Sequence, residues 1–273
     1  TEKISGKKAA IIGGGPTGIA AAYFCGRAGI ETTIFERESC LGGVPRHVIP
    51  GFRISEEAIE KDIALMRFYG AEVKLNNPAP SVSELKAMGY THILLATGAW
   101  QAGELGIPGN VRGVIAWMKE MKQQVKPCLE GHVVVVGAGN TAMDAARVAK
   151  RMGAASSTIV YRRTKKEMPA DEHELKLAID EGVNLVELAA PVEQKDGRLV
   201  CNQMKLGEPD ASGRRSPVAT GETFEIPCDL VISAIGEKVD AKLMAENGIE
   251  MGRKGPAFQT NVENVWSAGD AHR

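Results

Sequence analysis

The chain has 273 residues, 44% hydrophobic and 25% charged, with a net charge of −1. Such a composition suits a globular protein of one large or two smaller domains, and its balanced charge gives no global field for nucleic acid or an anionic membrane. No apolar run reaches the roughly 20 residues of a membrane span, and the polar start Thr1 to Lys8 shows no signal peptide, so a cytoplasmic protein without nucleic-acid or membrane partners is expected.

In chain order, "GKKAAIIGGGPTGIAAAYFCGRAG" opens at Gly6 and reads as a buried strand, a glycine turn and an alanine-rich helix. A second strand, "TTIFE", follows at 32–36. Ser55 stands as an N-cap before the helical run "EEAIEKDIALMRFYG". Next come a short strand "AEVKL", a helix "VSELKAMGY" and a buried strand "THILLATG". "ELGIPG" breaks at Pro108-Gly109 and reads as a linker. "GHVVVVGAGNTAMDAARVAKRMG" then opens at Gly131, with the strand "STIVY" at 157–161 after it. "ADEHELKLAIDEG" reads as a helix. "VNLVELAAPVEQ" and "RLVCNQMKL" flank Asp196-Gly197, a hairpin signal. "GEPDASGRRSPVATGE" reads as a long polar loop and "CDLVISAIG" as a buried strand. "VWSAGD" stands just before the end.

The segments from Gly6 and Gly131 are one pattern written twice. Gly13, Gly15 and Gly29 match Gly137, Gly139 and Gly153, and Gly18 is matched by Ala142. This is the dinucleotide fingerprint G-x-G-x-x-G/A. The first glycine allows a tight turn, the second lets a pyrophosphate approach the backbone, and the third position lets helix pack on strand. The phosphates then meet the free N–H groups of a helix N-terminus. One such motif is weak evidence; two in strand–turn–helix–strand context are strong.

The copies differ at the end of the second strand. Glu36 closes the first, where a carboxylate accepts a ribose 2′-OH and repels a 2′-phosphate. Tyr161, Arg162 and Arg163 close the second, and guanidinium forks suit phosphate. The first site is therefore expected to hold a dinucleotide with a free ribose and the second one with a 2′-phosphate, NADPH. Lys165 and Lys166 stay open between phosphate contacts and solvated charge. Cys25, Cys40, Cys128, Cys201 and Cys228 stand singly, without C-x-x-C spacing, which argues against a zinc site, a local cluster or a redox pair. Scattered thiols suit a reducing compartment and packing roles, and no metal site is expected.

The motifs "GGGPTG", "VIPGFRI", "LLATGA", "GAGNTAMDAAR", "VYRRTKKEMPADE", "MKLGEPDASGRR", "VISAIGE" and "VWSAGDA" together resemble the glutamate synthase small-subunit family and the flavoprotein part of dihydropyrimidine dehydrogenase. The resemblance is nearest to iron–sulfur flavoproteins described as selenate reductase subunits, and it covers essentially the whole chain. It implies an α/β fold of two Rossmann-like dinucleotide-binding domains. A flavin domain would span residues 1–105 and 237–273, with a NAD(P)H domain, 106–236, inserted into it. It places FAD in the first site, on Gly13, Gly15, Pro16, Thr17 and Gly18, with Glu36 at the adenosine ribose. Gly43, Arg53, Thr97, Gly98, Gly269 and Asp270 add further flavin contacts, Asp270 at the ribityl chain. NADPH would use Gly137, Gly139, Asn140, Thr141, Arg162 and Arg163, with Ala234, Ile235 and Gly236 near the nicotinamide.

The implied function is hydride transfer from NADPH to FAD, with electrons passed to an iron–sulfur domain or subunit elsewhere. No side chain has to act as a nucleophile, so no catalytic residue is named. A direct NAD(P)H-dependent reductase of a small substrate and a non-enzymatic dinucleotide-binding module are the alternatives. Members of the resembled family carry a cysteine-rich stretch before this region and a helix after the "GD", so the sequence reads as a piece of a longer polypeptide, with weakened flavin binding expected of the piece alone.

Overall fold

The computed structural model describes residues 6–211, 213, 215–250 and 258–272. In chain order its elements are β1 (Lys8–Ile12), α1 (Pro16–Arg27), β2 (Glu31–Phe35), α2 (Gly43–His47), α3 (Glu56–Phe68), β3 (Glu72–Lys74), α4 (Val82–Ala87), β4 (His92–Leu95), β5 (Gln101–Ala102), β6 (Val111–Gly113), α5 (Val114–Lys122), β7 (His132–Val136), α6 (Asn140–Arg151), β8 (Ser156–Val160), α7 (Glu172–Asp180), β9 (Asn184–Val186), β10 (Ala189–Lys195), β11 (Arg198–Pro209), β12 (Arg215–Pro227), β13 (Leu230–Ser233), β14 (Glu237–Lys238), α8 (Ala241–Glu246) and β15 (Val265–Ser267). The chain divides into two compact units. One joins Thr1–Trp100 with Lys238–Arg273; the other is Gln101–Glu237. Among the described residues no helix is long and apolar enough to cross a membrane.

The first unit is built on a parallel sheet in the order β15-β4-β1-β2-β3. Its central strands β1 and β2 are buried along nearly their whole length because both faces are covered. Ile11 and Ile34 face Ile19 and Ala22 of α1 and Ile59, Ile63 and Met66 of α3. Ala10, Ile12, Phe35, Ile93 and Leu95 face Val82 and Leu85 of α4 and Met244 of α8. The helices start where the chain supplies caps: the Ser55 hydroxyl accepts from the Ala58 N–H at 3.2 Å, and Ser81 and Glu84 form a capping box.

The second unit repeats the plan, with a parallel sheet in the order β6-β13-β7-β8-β9. Helices α5 and α6 pack on it. A separate antiparallel sheet, β10-β11-β12, closes one face, where Ala189, Leu199, Cys201 and Cys228 meet Val134, Val136 and Val160. Burial pushes the Cys201 thiol up to about 11 and the Cys228 thiol up to about 12, so both stay protonated and serve as packing groups. The Asp196-Gly197 turn joins β10 to β11, with φ of +50° and +73°, as a two-residue hairpin turn requires.

Three features differ from the sequence pattern. "VNLVELAAPVEQ" is two strands: β9 stays in the parallel sheet and β10 enters the antiparallel one, the chain turning at Leu188 with φ +54°. "GEPDASGRRSPVATGE" is not a loop. Its two ends extend β11 and β12 into a ribbon paired through Leu206↔Pro217 and Pro209↔Arg215; Ser212 and Arg214 lie outside the described residues. The outer part of β12 is largely exposed, so no apolar alternation marks it as a strand. Helices α5 and α8 have no counterpart in the pattern. Trp117, Met118 and Met121 of α5 are buried, yet the helix begins at Gly113 with no capping side chain to announce it.

Candidate functional site

Both glycine turns sit at the carboxyl ends of their parallel strands, after β1 and after β7. A methyl group on Gly13 would fall 2.5 Å from the Ala96 carbonyl oxygen, and one on Gly137 would fall 2.3 Å from that of Ala234. The first glycine is thus demanded by the neighbouring strand end in each unit. At the third position, a methyl on Gly18 would lie 2.0 Å from the Gly13 carbonyl oxygen. The second turn holds Ala142 there, fully buried and without a clash.

The second glycines behave differently. Gly15 has φ −78° and ψ −172°, and Gly139 φ −89° and ψ 175°, ordinary extended values open to any residue. A methyl on Gly15 would come no nearer than 3.6 Å to another atom, and one on Gly139 would meet nothing within 4 Å. The chain's own packing therefore does not call for glycine at either place. The open space leaves room for a group that needs backbone contact, such as a pyrophosphate. Helices α1 and α6, 12 residues each, begin at these glycines with no capping side chain, leaving their first N–H groups aimed there.

The rest of the first set converges on the same strand ends. Glu36, just past β2, is buried at 6% exposure; its Oε2 accepts from the Gly14 N–H at 2.7 Å and its Oε1 from the Glu38 N–H at 2.8 Å. Those bonds fix the carboxylate and leave acceptor capacity on both oxygens. Gly14 was not singled out by the sequence pattern. A methyl there would meet the Leu41 side chain at 2.3 Å and Glu36 Oε2 at 3.0 Å, so the middle glycine of the "GGG" run makes room for Glu36. Gly43, at φ +56°, packs against Gly15, where a methyl would lie 2.7 Å from the Gly15 Cα. Thr97 and Gly98 follow β4, and the Thr97 hydroxyl oxygen is buried without a hydrogen-bond partner. A methyl on Gly269 would fall 2.3 Å from the Thr17 hydroxyl oxygen, so the Gly269-Asp270 pair sits at the first turn of α1. Arg53 is exposed in a separate turn after α2, its N–H donating to the Pro50 carbonyl at 2.9 Å.

In the second set, Arg162 is exposed just past β8, whereas Arg163 is buried at 9% exposure with its Nε unpartnered. Lys165 and Lys166 are exposed. The loop after them folds back on the glycine turn: the Ala170 N–H donates to the Ala138 carbonyl at 3.0 Å and the Asp171 N–H to Asn140 Oδ1 at 3.1 Å. Ala234 backs Gly137, Ile235 is 47% exposed, and Gly236 has open space around it at φ +111°. Glu237 is a further member the sequence pattern did not name; the Thr141 hydroxyl donates to its Oε1 at 2.9 Å. Away from the turn, Glu181 joins α7 to α6, accepting from Arg151 Nη2 at 2.7 Å and from the buried Arg147 Nη2 at 2.6 Å. The Arg151 hydrogen bond, with that of Arg147, holds the Glu181 carboxyl down at about 2.

Two parallel sheets, each with a glycine turn and an uncapped helix at its carboxyl edge, make an α/β protein built of two dinucleotide-binding-type units. The chain belongs to the pyridine nucleotide-disulphide oxidoreductase family, which it matches over residues 7–273. It is 40% identical over 275 residues to YgfK of Escherichia coli (strain K12), a protein named only as an oxidoreductase; the match covers 97% of this chain but 27% of that one. It is 31% identical over 299 residues to the NADPH glutamate synthase small chain of Azospirillum brasilense, covering 98% of this chain and 62% of that one. The fold is shared with Mycobacterium tuberculosis FprA, solved in complex with NADPH, at a TM-score of 0.81 and 19% identity over 96% of this chain and 78% of that one. The chain thus spans less than two thirds of the length of these relatives by sequence.

Proposed function

We propose that this chain takes hydride from NADPH and delivers it to FAD, the electrons then leaving for an iron–sulfur domain or subunit outside these residues. FAD is assigned to the unit formed by both ends of the chain, and NADPH to the unit formed by its middle. The observation that carries the assignment is the contrast between two turns with equally open second glycines. Beside the first turn the second strand ends in the buried Glu36 carboxylate, and beside the second turn it ends in the exposed Arg162. A carboxylate accepts ribose hydroxyls and repels a 2′-phosphate; an arginine does the reverse.

The residues at each turn suit these groups. Backbone N–H groups at the starts of α1 and α6 receive pyrophosphate, and the orphaned Thr97 hydroxyl offers a donor and acceptor beside the first turn. When bound, the flavin supplies hydride acceptance and one-electron release. The chain's part is to hold both groups by backbone and charge. Its buried thiols, Cys201 and Cys228, are kept protonated and take no part. The names of the glutamate synthase small chain and of the FprA complex, both with NADPH, support the choice of nucleotide. The five free cysteines support a reducing, cytoplasmic setting.

The test mixes FAD-loaded protein with NADPH under anaerobic conditions and follows the visible flavin band. The band should be lost, faster than with NADH, and equally when the thiols have been alkylated. A band that persists with both nucleotides would contradict the proposal, and loss abolished by alkylation would assign a redox role to a cysteine.

A further inference from the structure

Glu237 has no part in the reading above, yet it stands at the second turn. Thr141, whose hydroxyl it accepts, is the second residue of α6, and α6 has neither a capping side chain nor an acidic residue in its first turn. The half-buried Glu237 carboxylate reaches that helix end through the Thr141 hydroxyl. Its Oε2 has no hydrogen-bond partner among the described residues. A carboxylate oxygen without a partner is an acceptor. It can take hydroxyl or amide donors from a ligand and would repel phosphate.

The sheet order says which part of a dinucleotide reaches it. β7, which carries the glycine turn, lies between β8 and β13. Arg162 follows β8, so the 2′-phosphate half belongs on that side. Glu237 follows β13, on the opposite side. The first unit has an independent counterpart. There, Gly269 packs against Thr17, the second residue of α1, and Asp270 follows it. In each unit a glycine followed by an acid comes to the threonine in the first turn of the nucleotide helix, by Gly269 itself in the first unit and by the Glu237 side chain in the second. The pairs come from different strands, β15 and β13. Ala96 and Ala234 back the first glycines alike, which puts Ala99 at the repeat position of Glu237. The two acids therefore do not occupy matching positions of the duplicated βαβ unit.

We infer that Glu237 binds the ribose hydroxyls on the nicotinamide side of NADPH; the inference rests on the NADPH reading of the second site. The test titrates wild type and Glu237→Gln with two probes, NADPH and adenosine 2′,5′-bisphosphate, which lacks the nicotinamide ribose. NADPH should bind roughly 10- to 100-fold more weakly to the variant, the range for a charge-assisted hydrogen bond, while the bisphosphate binds unchanged. Glu237→Asp, which keeps the charge, should recover part of the loss. Equal weakening of both probes would mean that Glu237 acts by shaping the turn, and would overturn the inference. So would unchanged NADPH binding, or tighter binding, which would make the carboxylate a competitor for the helix end. If wild type bound neither probe, the NADPH reading itself would fall, a result distinct from all of these.

Discussion

The two glycine turns differ in how much of each is dictated by the chain itself. In the first, Gly13, Gly14, Gly18 and Gly43 are all enforced by close atoms, and Glu36 is locked by two backbone N–H groups. In the second, Gly137 alone is enforced in this way; Ala142 fills the third position and Arg162 projects into solvent. The first turn is thus a preformed cradle, suited to a group that stays. The second is more open, suited to one that comes and goes. The helices behind them differ in the same sense. α1 is seated by apolar contacts, with Gly26 tight against Tyr69, whereas α6 adds to its buried alanines and Met143 the ion network of Arg147, Arg151 and Glu181.

The largest expected effect breaks the first turn. Gly18→Ala puts a methyl 2.0 Å from a backbone oxygen that cannot move aside cheaply. Overpacking of this kind costs about 1–3 kcal/mol, with the upper end expected here. The reciprocal Ala142→Gly change should cost only about 1 kcal/mol, the helix-propensity difference. Chemical denaturation of the two variants measures both, and similar costs would deny that the turns are built to different tolerances.

The ion network of α6 gives the next effect, and it depends on pH. The Glu181 carboxyl is held at about 2, below its ordinary value of 4.5, chiefly by Arg151. A depressed folded-state value means that the stabilisation is complete above pH 4.5 and is lost as pH falls toward 2. Glu181→Gln should therefore lose roughly 1.5–3 kcal/mol at pH 7, the range for hydrogen bonds to charged groups. The gap between wild type and variant should close as the pH is lowered through that window in thermal melts. A gap independent of pH would assign Glu181 a packing role instead.

A smaller effect separates folding from binding. Gly15→Ala and Gly139→Ala should each leave stability unchanged or slightly raised, since neither backbone is strained and neither methyl meets a close neighbour. Each should weaken the dinucleotide of its own turn and spare the other, read by titration of FAD and NADPH. A loss of stability in either would mean that the open space has a structural purpose.

What was legible in the sequence was what the backbone demands. The two βαβ units, the α3 cap and the Asp196-Gly197 hairpin all rest on glycine, serine or apolar spacing that acts locally. The outer ribbon of β11 and β12 was not legible, because a strand exposed on both faces has no alternation to show. Nor was the role of Gly14, which depends on a carboxylate 22 residues away, or the burial of Arg163 beside an exposed Arg162. Glu237 was not legible either, because its contact with the Thr141 hydroxyl joins residues 96 positions apart.

The central claim is that the charge at the end of the second strand decides which dinucleotide each turn holds. The most direct measurement is the affinity of Arg162→Ala for NADPH, NADH and FAD, each by equilibrium titration. Loss of one charge-assisted contact should weaken NADPH roughly 10- to 100-fold and leave NADH and FAD as they are in the wild type. Equal losses for NADPH and NADH would show Arg162 to be solvated charge and would contradict the assignment.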